Sequence, residues 1–327
     1  MDSLGDERVD DERPDVPIRS AVSIVIPVYN SEQSLPVLAE RLAAVLDMFA
    51  ATEVLLVDDG SSDGSWLVIK ALANDHDWIR GISLSRNFGQ HNALLAGVRA
   101  AQHGLIITMD DDLQHRPEDL PTLVDALTND LDLVYGVSTI EEHSNWRNLS
   151  SRVAKGSMRL ALGAETARHV SAFRVFRSSL RDAASQSNDP YISLDVLLSW
   201  ATTRVGTVDV VMDQRPFGDS NYTFRRLARH AINMTTGYST APLRLVTYLG
   251  FASSIMGLAI FVYVVVRFFV DGGSIPGFPF LASIVSLFSG AQMFAIGILG
   301  EYLGRMHFRS MQRPQYVIRE STGGRST

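Results

Sequence analysis

Ala21-Val22-Ser23-Ile24-Val25-Ile26-Pro27 is a β-branched run closed by a proline, and Glu53-Val54-Leu55-Leu56-Val57 is a second apolar run that ends in acids and glycine. Both are too short for solvent-exposed helices and too continuously apolar for half-exposed strands, so the pattern predicts buried parallel strands. Between them, from Ser34 to Phe49, the residues Leu35, Leu38, Leu42, Val45, Leu46 and Phe49 recur at helical spacing. Strand, helix, strand makes a βαβ unit. The alternation continues with a helix near Ser65–Asn74, a short strand near Arg80–Leu84, a helix over His91–Ala101 and a strand over Leu105–Met109. The expected fold class is α/β, a doubly wound and mostly parallel sheet. Such sheets bind ligands beyond the carboxyl ends of their strands.

Three loops stand at those ends: Val28 to Glu32, Asp58 to Gly64, and Asp110-Asp111-Asp112-Leu113-Gln114. Taken alone, Asp58 to Gly64 reads equally well as a turn or as part of a site, because Asp-Gly and Ser-Asp-Gly are common turn formers and caps. Three successive carboxylates after a buried strand are different, since like charges this close repel unless a cation or solvent compensates. Alternation along the backbone sends Asp110 and Asp112 to one side, with Gln114 following. Hard carboxylate and amide oxygens in that arrangement suit Mg²⁺ or Mn²⁺, and an ion so held bridges substrate phosphates. The implied ligand is a nucleoside diphosphate derivative. There is neither a Walker-type glycine and lysine loop nor a G-x-G-x-x-G after the first strand, so ATP hydrolysis and NAD chemistry find no support. The histidines, including His91, His115 and His169, show no metal-ligand spacing and read as structural or surface residues.

The chain has 327 residues, 46% hydrophobic and 20% charged, enough for a large core plus a membrane segment. Residues 1–19 hold seven acids against three arginines and are expected to form a disordered acidic tail. That tail lacks the basic and apolar regions of a signal peptide, which argues against export of the first domain. With no cysteine the chain has no disulfide or thiolate site, and its net charge of −7 makes it a poor general nucleic-acid binder. Two uncharged stretches, Leu245 to Val266 and Gly272 to Gly300, match the hydrocarbon thickness of a bilayer and predict a transmembrane hairpin, about 245–269 and 280–303. Before it, within 222–244, Arg225, Arg226 and Arg229 share one helical face interleaved with Phe224, Leu227 and Ile232, as in an interfacial amphipathic helix. Arg305, Arg309 and Arg313 follow the second stretch, while the link from Asp271 to Pro279 has no Lys or Arg. Positive flanks on one side place the catalytic domain and both termini in the cytoplasm, at the inner membrane, with 305–327 as a cytoplasmic tail. Those arginines have two readings, acceptor-phosphate binding or plain membrane electrostatics. Small residues such as Gly250, Gly257, Gly290 and Gly297 permit close helix contact and homo-oligomer formation without fixing stoichiometry.

The runs SIVIPVYNSE, VDDGSSDGS, LSRNFGQHNALLAG and ITMDDDLQHRPEDL together resemble the family-2 glycosyltransferases of GT-A fold, over Val22 to Leu120. RPFGDSNYTFRRL, APLRL, GEYLGR and RPQY are similar to the polyprenyl-phosphate branch of that family, which extends the resemblance over nearly the whole chain after the tail. The resemblance implies a GT-A domain over 20–221, with a nucleotide-sugar half to about 140 and an acceptor half beyond. It places Pro27, Tyr29, Glu32, Asp58, Asp59, Asp110 and Asp111 around the donor. Asp110, Asp112 and Gln114 would hold the divalent ion, and Arg215 would sit in a loop that closes on the donor phosphates. Asp112, Arg215 and Asp195 are the candidate catalytic residues, and Arg225, Arg226 and Arg229 the candidate acceptor-phosphate ligands.

Two positions depart from the family pattern. Many relatives carry an aspartate before the Phe-Arg pair, where this chain has Ala172-Phe173-Arg174, and Arg309 and Met311 stand where relatives usually have an acid and a lysine. Asp195, in Tyr191-Ile192-Ser193-Leu194-Asp195, either supplies a carboxylate on the acceptor side or is an ordinary helix-surface residue. The expected activity is inverting, metal-dependent transfer of one sugar from a nucleotide-sugar, UDP before GDP, to undecaprenyl or a similar polyprenyl phosphate. The alternatives are a membrane-bound transferase acting on a glycan hydroxyl, and a non-catalytic nucleotide-binding membrane protein. Processive synthases usually carry a Gln-x-x-Arg-Trp motif, which no glutamine here begins.

Overall fold

The computed structural model describes residues 18–138, 170–181, 193–213, 241–270, 277–311 and 314–323. The first half follows the predicted alternation: β1 (Ile18–Val28), α1 (Ser34–Leu46), β2 (Phe49–Asp58), α2 (Ser65–Asp75), β3 (Ile79–Leu84), α3 (Gln90–Ala100) and β4 (Leu105–Thr108). A 3-10 turn at Pro117–Asp119 leads into α4 (Leu120–Asp125), followed by β5 (Leu133–Ser138), β6 (Arg174–Arg177), α5 (Leu194–Ala201) and β7 (Val205–Val210). Two long helices, α6 (Ala241–Val270) and α7 (Phe278–Ser310), precede a last strand, β8 (Ile318–Thr322).

The eight strands form one sheet in the order β7-β5-β6-β4-β1-β2-β3-β8. β1 pairs in parallel with β2 and β4, and β2 with β3. β6 runs antiparallel between β4 and β5, so the sheet is mixed although mostly parallel. Helices cover both faces. The apolar sides of α1, α2 and α4 pack on one face with Ile24, Ile26, Val54 and Leu56, and α3 and α5 pack on the other with Val25, Leu55, Val57 and Ile106. Alternate residues of β1 and β2 thus enter different cores, which is why both strands read as continuous apolar runs. Gly97 of α3 lets helix and sheet approach, because a Cβ there would lie 2.3 Å from Val25 Cγ1.

The end of the chain corrects the expectation of a simple cytoplasmic tail. α7 continues to Ser310, and β8 pairs antiparallel with β3, Ile82 opposite Ser321 and Ser83 opposite Glu320. Trp66 Nε1 donates to Glu320 Oε2 at 3.0 Å and Ser85 N–H to Val317 O at 2.8 Å, fastening the strand to α2 and to the end of β3. At the other end, Ile18 and Arg19, expected in the tail, belong to β1, and 1–17 lie outside the described residues. Among the described residues one stretch, Val246–Val264 in α6, is long and apolar enough to cross a membrane, with a mean hydropathy of 1.7 and no burial within the protein. α6 meets α7 near Gly257, where a Cβ would stand 3.6 Å from Phe288 Cζ; Gly250, Gly290 and Gly297 have open space around them.

Candidate active site

The ends of β1, β2 and β4 open on a cleft of about 730 Å³, lined by Pro27, Tyr29, Glu32, Asp59, Asp63, Gln90 and the three acids Asp110 to Asp112, among others. A volume of this size accommodates a nucleotide-sugar. Tyr29 stands at the rim, 51% exposed.

The first two loops are laced together by their own polar groups. Asn30 adopts φ +55°, a left-handed conformation that asparagine tolerates, and its Oδ1 accepts from Ser62 N–H at 2.8 Å. Glu32 accepts from Gly64 N–H at 3.0 Å, and a Cβ on Gly64 would collide with that carboxylate at 2.6 Å. Asp63 accepts from Glu32 N–H and from the amide and hydroxyl of Ser65. Gly60 is required, since it has φ +68° and a Cβ there would lie 2.5 Å from the Arg86 carbonyl carbon.

Asp58 and Asp59, adjacent and identical, take different places. Asp59 reaches the cleft and accepts from Phe88 N–H at 2.7 Å and Gly89 N–H at 2.8 Å, which clamps the loop before α3. Burial raises its pKa against these two bonds. Asp58 is 1% exposed and lies beneath the cleft, bound to Ser61 N–H and Ser83 Oγ. It supports the wall of the cleft from beneath and does not line it, whereas both aspartates were expected around the ligand.

In the acidic loop, Asp110 accepts from Gln90 Nε2 at 2.7 Å and Asp112 from Gln114 N–H at 3.1 Å, while Asp111 turns toward Tyr29 N–H at 3.4 Å. Burial pushes the Asp111 pKa up to about 6, with Asp112 adding to the rise. Leu113, at φ +62°, redirects the chain, so Gln114 leaves the cleft lining and its carbonyl accepts from Asp213 N–H at 2.9 Å. His115 Nδ1 accepts from Asp110 N–H, and its ring stacks on Phe173 with centroids 5.2 Å apart. Burial lowers its pKa to about 4, so the ring is neutral near pH 7 and acts as a structural support. Among the described residues, no group of three or more His, Asp or Glu side chains converges as an ion cage.

Asp195 is neither a surface acid nor a cleft residue. It is 5% exposed on α5 and forms an ion pair with Arg174, the largest fully buried side chain among the described residues. Its second oxygen accepts from Ser193 Oγ at 3.2 Å. Arg174 Nε donates to Thr108 Oγ1 at 2.9 Å, and that hydroxyl donates to the Ala172 carbonyl at 2.7 Å. Burial would lower the Arg174 pKa, but Asp195 and Tyr135 override it and hold the guanidinium charged. Sequence reasoning missed this pair and the parts played by Asn30, Asp63 and Gln90. The NFGQ turn was visible as a motif, whereas nothing near Arg174 in sequence signals its partner. Arg215, Arg225, Arg226 and Arg229 lie outside the described residues.

Residues 23–183 match the family described as Glycosyl transferase family 2. The chain is 34% identical over 310 residues to an undecaprenyl-phosphate 4-deoxy-4-formamido-L-arabinose transferase of Photorhabdus laumondii, covering 94% of this chain and 95% of that protein. It is 35% identical, over the same shares, to the protein of that name from Yersinia pestis. The chain belongs to glycosyl transferase family 2. Among solved structures, glucosyl-3-phosphoglycerate synthase from Mycobacterium tuberculosis, in complex with Mn²⁺ and UDP, aligns with TM-score 0.47 at 18% identity, over 66% of this chain and 78% of that one. In this glycosyltransferase the acidic loop and Tyr29 line the same cleft.

Proposed function

We propose that this transferase moves one sugar from a nucleotide-sugar, UDP-linked in the first instance, to undecaprenyl phosphate at the cytoplasmic membrane face. The observation that carries the reading is end-to-end similarity to transferases named for undecaprenyl phosphate, in a chain whose acidic loop lines the cleft. The acceptor phosphate oxygen attacks the anomeric carbon as the bond to the nucleoside diphosphate breaks, inverting that centre. Tyr29 and Asp59 bound the base and ribose side, and Pro27, Glu32 and Asp111 shape the wall. Asp110 and Asp112 line the cleft with hard oxygen donors, a set that fits Mg²⁺ or Mn²⁺, whereas Gln114 stands outside that lining. A bound ion would stabilise charge on the departing diphosphate. Arg215 is assigned to the same leaving group.

The state of Asp195 favours a phosphate acceptor over a hydroxyl. Both its oxygens are engaged and Ala172 carries no acid, whereas a lipid phosphate with a second pKa of about 6 arrives largely ionised and needs no base.

The sheet itself supports a two-helix hairpin. β8 hydrogen-bonds to β3, so the chain ends on the side of the membrane where it began, and the helices between them cross an even number of times. If α6 crosses, α7 must return, and its segment 278–300 carries no charged residue. Arg267 is the one basic residue near the connecting end, against Arg225, Arg226, Arg229, Arg244, Arg305, Arg309 and Arg313 near the other, an imbalance that supports a cytoplasmic catalytic domain. The arginines before α6 are assigned to the acceptor phosphate and the headgroups around it.

The deciding experiment incubates membranes containing the full chain with undecaprenyl phosphate and a panel of UDP- and GDP-sugars, and weighs the extracted lipids. A single-sugar adduct on the phosphate is expected. Glycosylated glycan without a glycosylated polyprenyl phosphate refutes the reading.

A further inference from the structure

One support of the cleft comes from the far end of the chain. Arg319, on β8, donates Nη2–H to Ser83 Oγ at 3.0 Å. Ser83 is fully buried, and its single hydroxyl proton goes to Asp58 Oδ2 at 3.1 Å, so the oxygen is left to accept from the guanidinium. On its other oxygen Asp58 accepts Ser61 N–H at 3.0 Å, and Ser61 Oγ in turn accepts Asn30 N–H, also at 3.0 Å. Asn30 lines the cleft. A row of hydrogen bonds therefore joins a cation on the last strand to the two loops that wall the donor side. A buried carboxylate is costly unless hydrogen-bonded, and a hydroxyl polarised by a cation is the stronger donor to it.

We propose that Arg319 is a positioning residue for donor binding: through Ser83 it holds Asp58, and with it the Ser61–Asn30 wall of the cleft, so that full donor affinity requires the Arg319 guanidinium. The inference rests on the reading of the cleft as a nucleotide-sugar site. It separates Arg319 from the docking of β8, because the strand is also held by its backbone pairing and by Glu320, which takes Trp66 Nε1–H and lies 4.0 Å from Lys70 Nζ.

The test uses the full chain in detergent with Mn²⁺, measuring the affinity of UDP and of GDP by calorimetry together with kcat and donor KM. Arg319→Ala is expected to weaken binding of the preferred diphosphate by about tenfold, the scale of one charge-assisted hydrogen bond, and to raise KM in step. kcat should stay within about twofold, and Arg319→Lys should recover most of the loss. In a Ser83→Ala background, adding Arg319→Ala should change affinity by less than about twofold, since the path is already cut. Unchanged affinity in Arg319→Ala, a loss confined to kcat, or a full additional loss on Ser83→Ala overturns the inference. So does an equal loss in Glu320→Ala, which would trace the effect to strand docking. A wild-type chain that binds neither diphosphate refutes the cleft reading itself, and this inference with it.

Discussion

Removing the Asp195 carboxylate isolates what the Arg174 pair contributes. The side chains of Arg174 and Asp195 are 2% and 7% exposed, so neither charge has water to fall back on. In Asp195→Ala the guanidinium keeps Thr108 Oγ1 and the Tyr135 ring, whose centroid is 5.9 Å away, but no counter-charge. Leaving one partner of a buried pair uncompensated costs about 3–5 kcal/mol. For a domain of this size each kcal/mol moves the midpoint by roughly 2–4 °C, so the variant should melt about 6–20 °C below wild type. The chain has four tryptophans and no cysteine, so intrinsic fluorescence of the detergent-solubilised protein is a suitable readout. Asp195→Asn, which keeps an acceptor oxygen, should fall between the two. Arg174→Met combined with Asp195→Leu should recover at least about half of the loss, because burying no charge avoids the desolvation cost. Below its melting point Asp195→Asn should still glycosylate undecaprenyl phosphate. A melting point within about 2 °C of wild type for Asp195→Ala refutes the structural assignment. A folded, donor-binding Asp195→Asn with no activity refutes the base-free transfer.

Asp110→Ala and Asp112→Ala should each abolish most turnover with little change in melting, since these acids serve the cleft and not the core; full activity of either, or of wild type in excess chelator, refutes the divalent-ion assignment. Arg215→Ala should lower kcat more than donor affinity if its contact strengthens as the diphosphate leaves, which single-turnover rates and diphosphate binding measure separately. Arg41 holds Glu118 below its ordinary pKa through bonds of 3.0 and 2.7 Å. A depressed carboxylate contributes stability above its unfolded pKa, near 4.5, that is lost as pH falls through the folded value. The pair is partly exposed and screened, so Arg41→Ala should cost less than about 1 kcal/mol near pH 7 and next to nothing near pH 3, in denaturant titrations at the two pH values.

Much of the fold was legible because the signals are local. The runs at Ala21–Pro27 and Glu53–Val57 announce buried strands, Leu35, Leu38 and Leu42 announce the helix between them, and the parallel connection puts three loops at one edge. The place of the cleft followed from the same logic, since Asp59 and Asp110 to Asp112 stand beyond the carboxyl ends of parallel strands. β8 was not legible. Its sequence, Ile-Arg-Glu-Ser-Thr, is polar and mostly exposed, an edge strand held by backbone bonds that any residues could make.

The sequence by itself determined the alternation of strand and helix, the apolar segment that suits a bilayer, and the placing of Asp110–Asp112 at a strand end, because backbone geometry and side-chain hydrophobicity act over a few residues. Tertiary structure alone decided that Asp59 faces the cleft while Asp58 lies beneath it, that Asp195 neutralises Arg174, and that Arg319 returns to Ser83 across 236 positions. A carboxylate's work depends on which groups exclude water from it and which supply its counter-charge, and those groups are brought together only when distant segments pack.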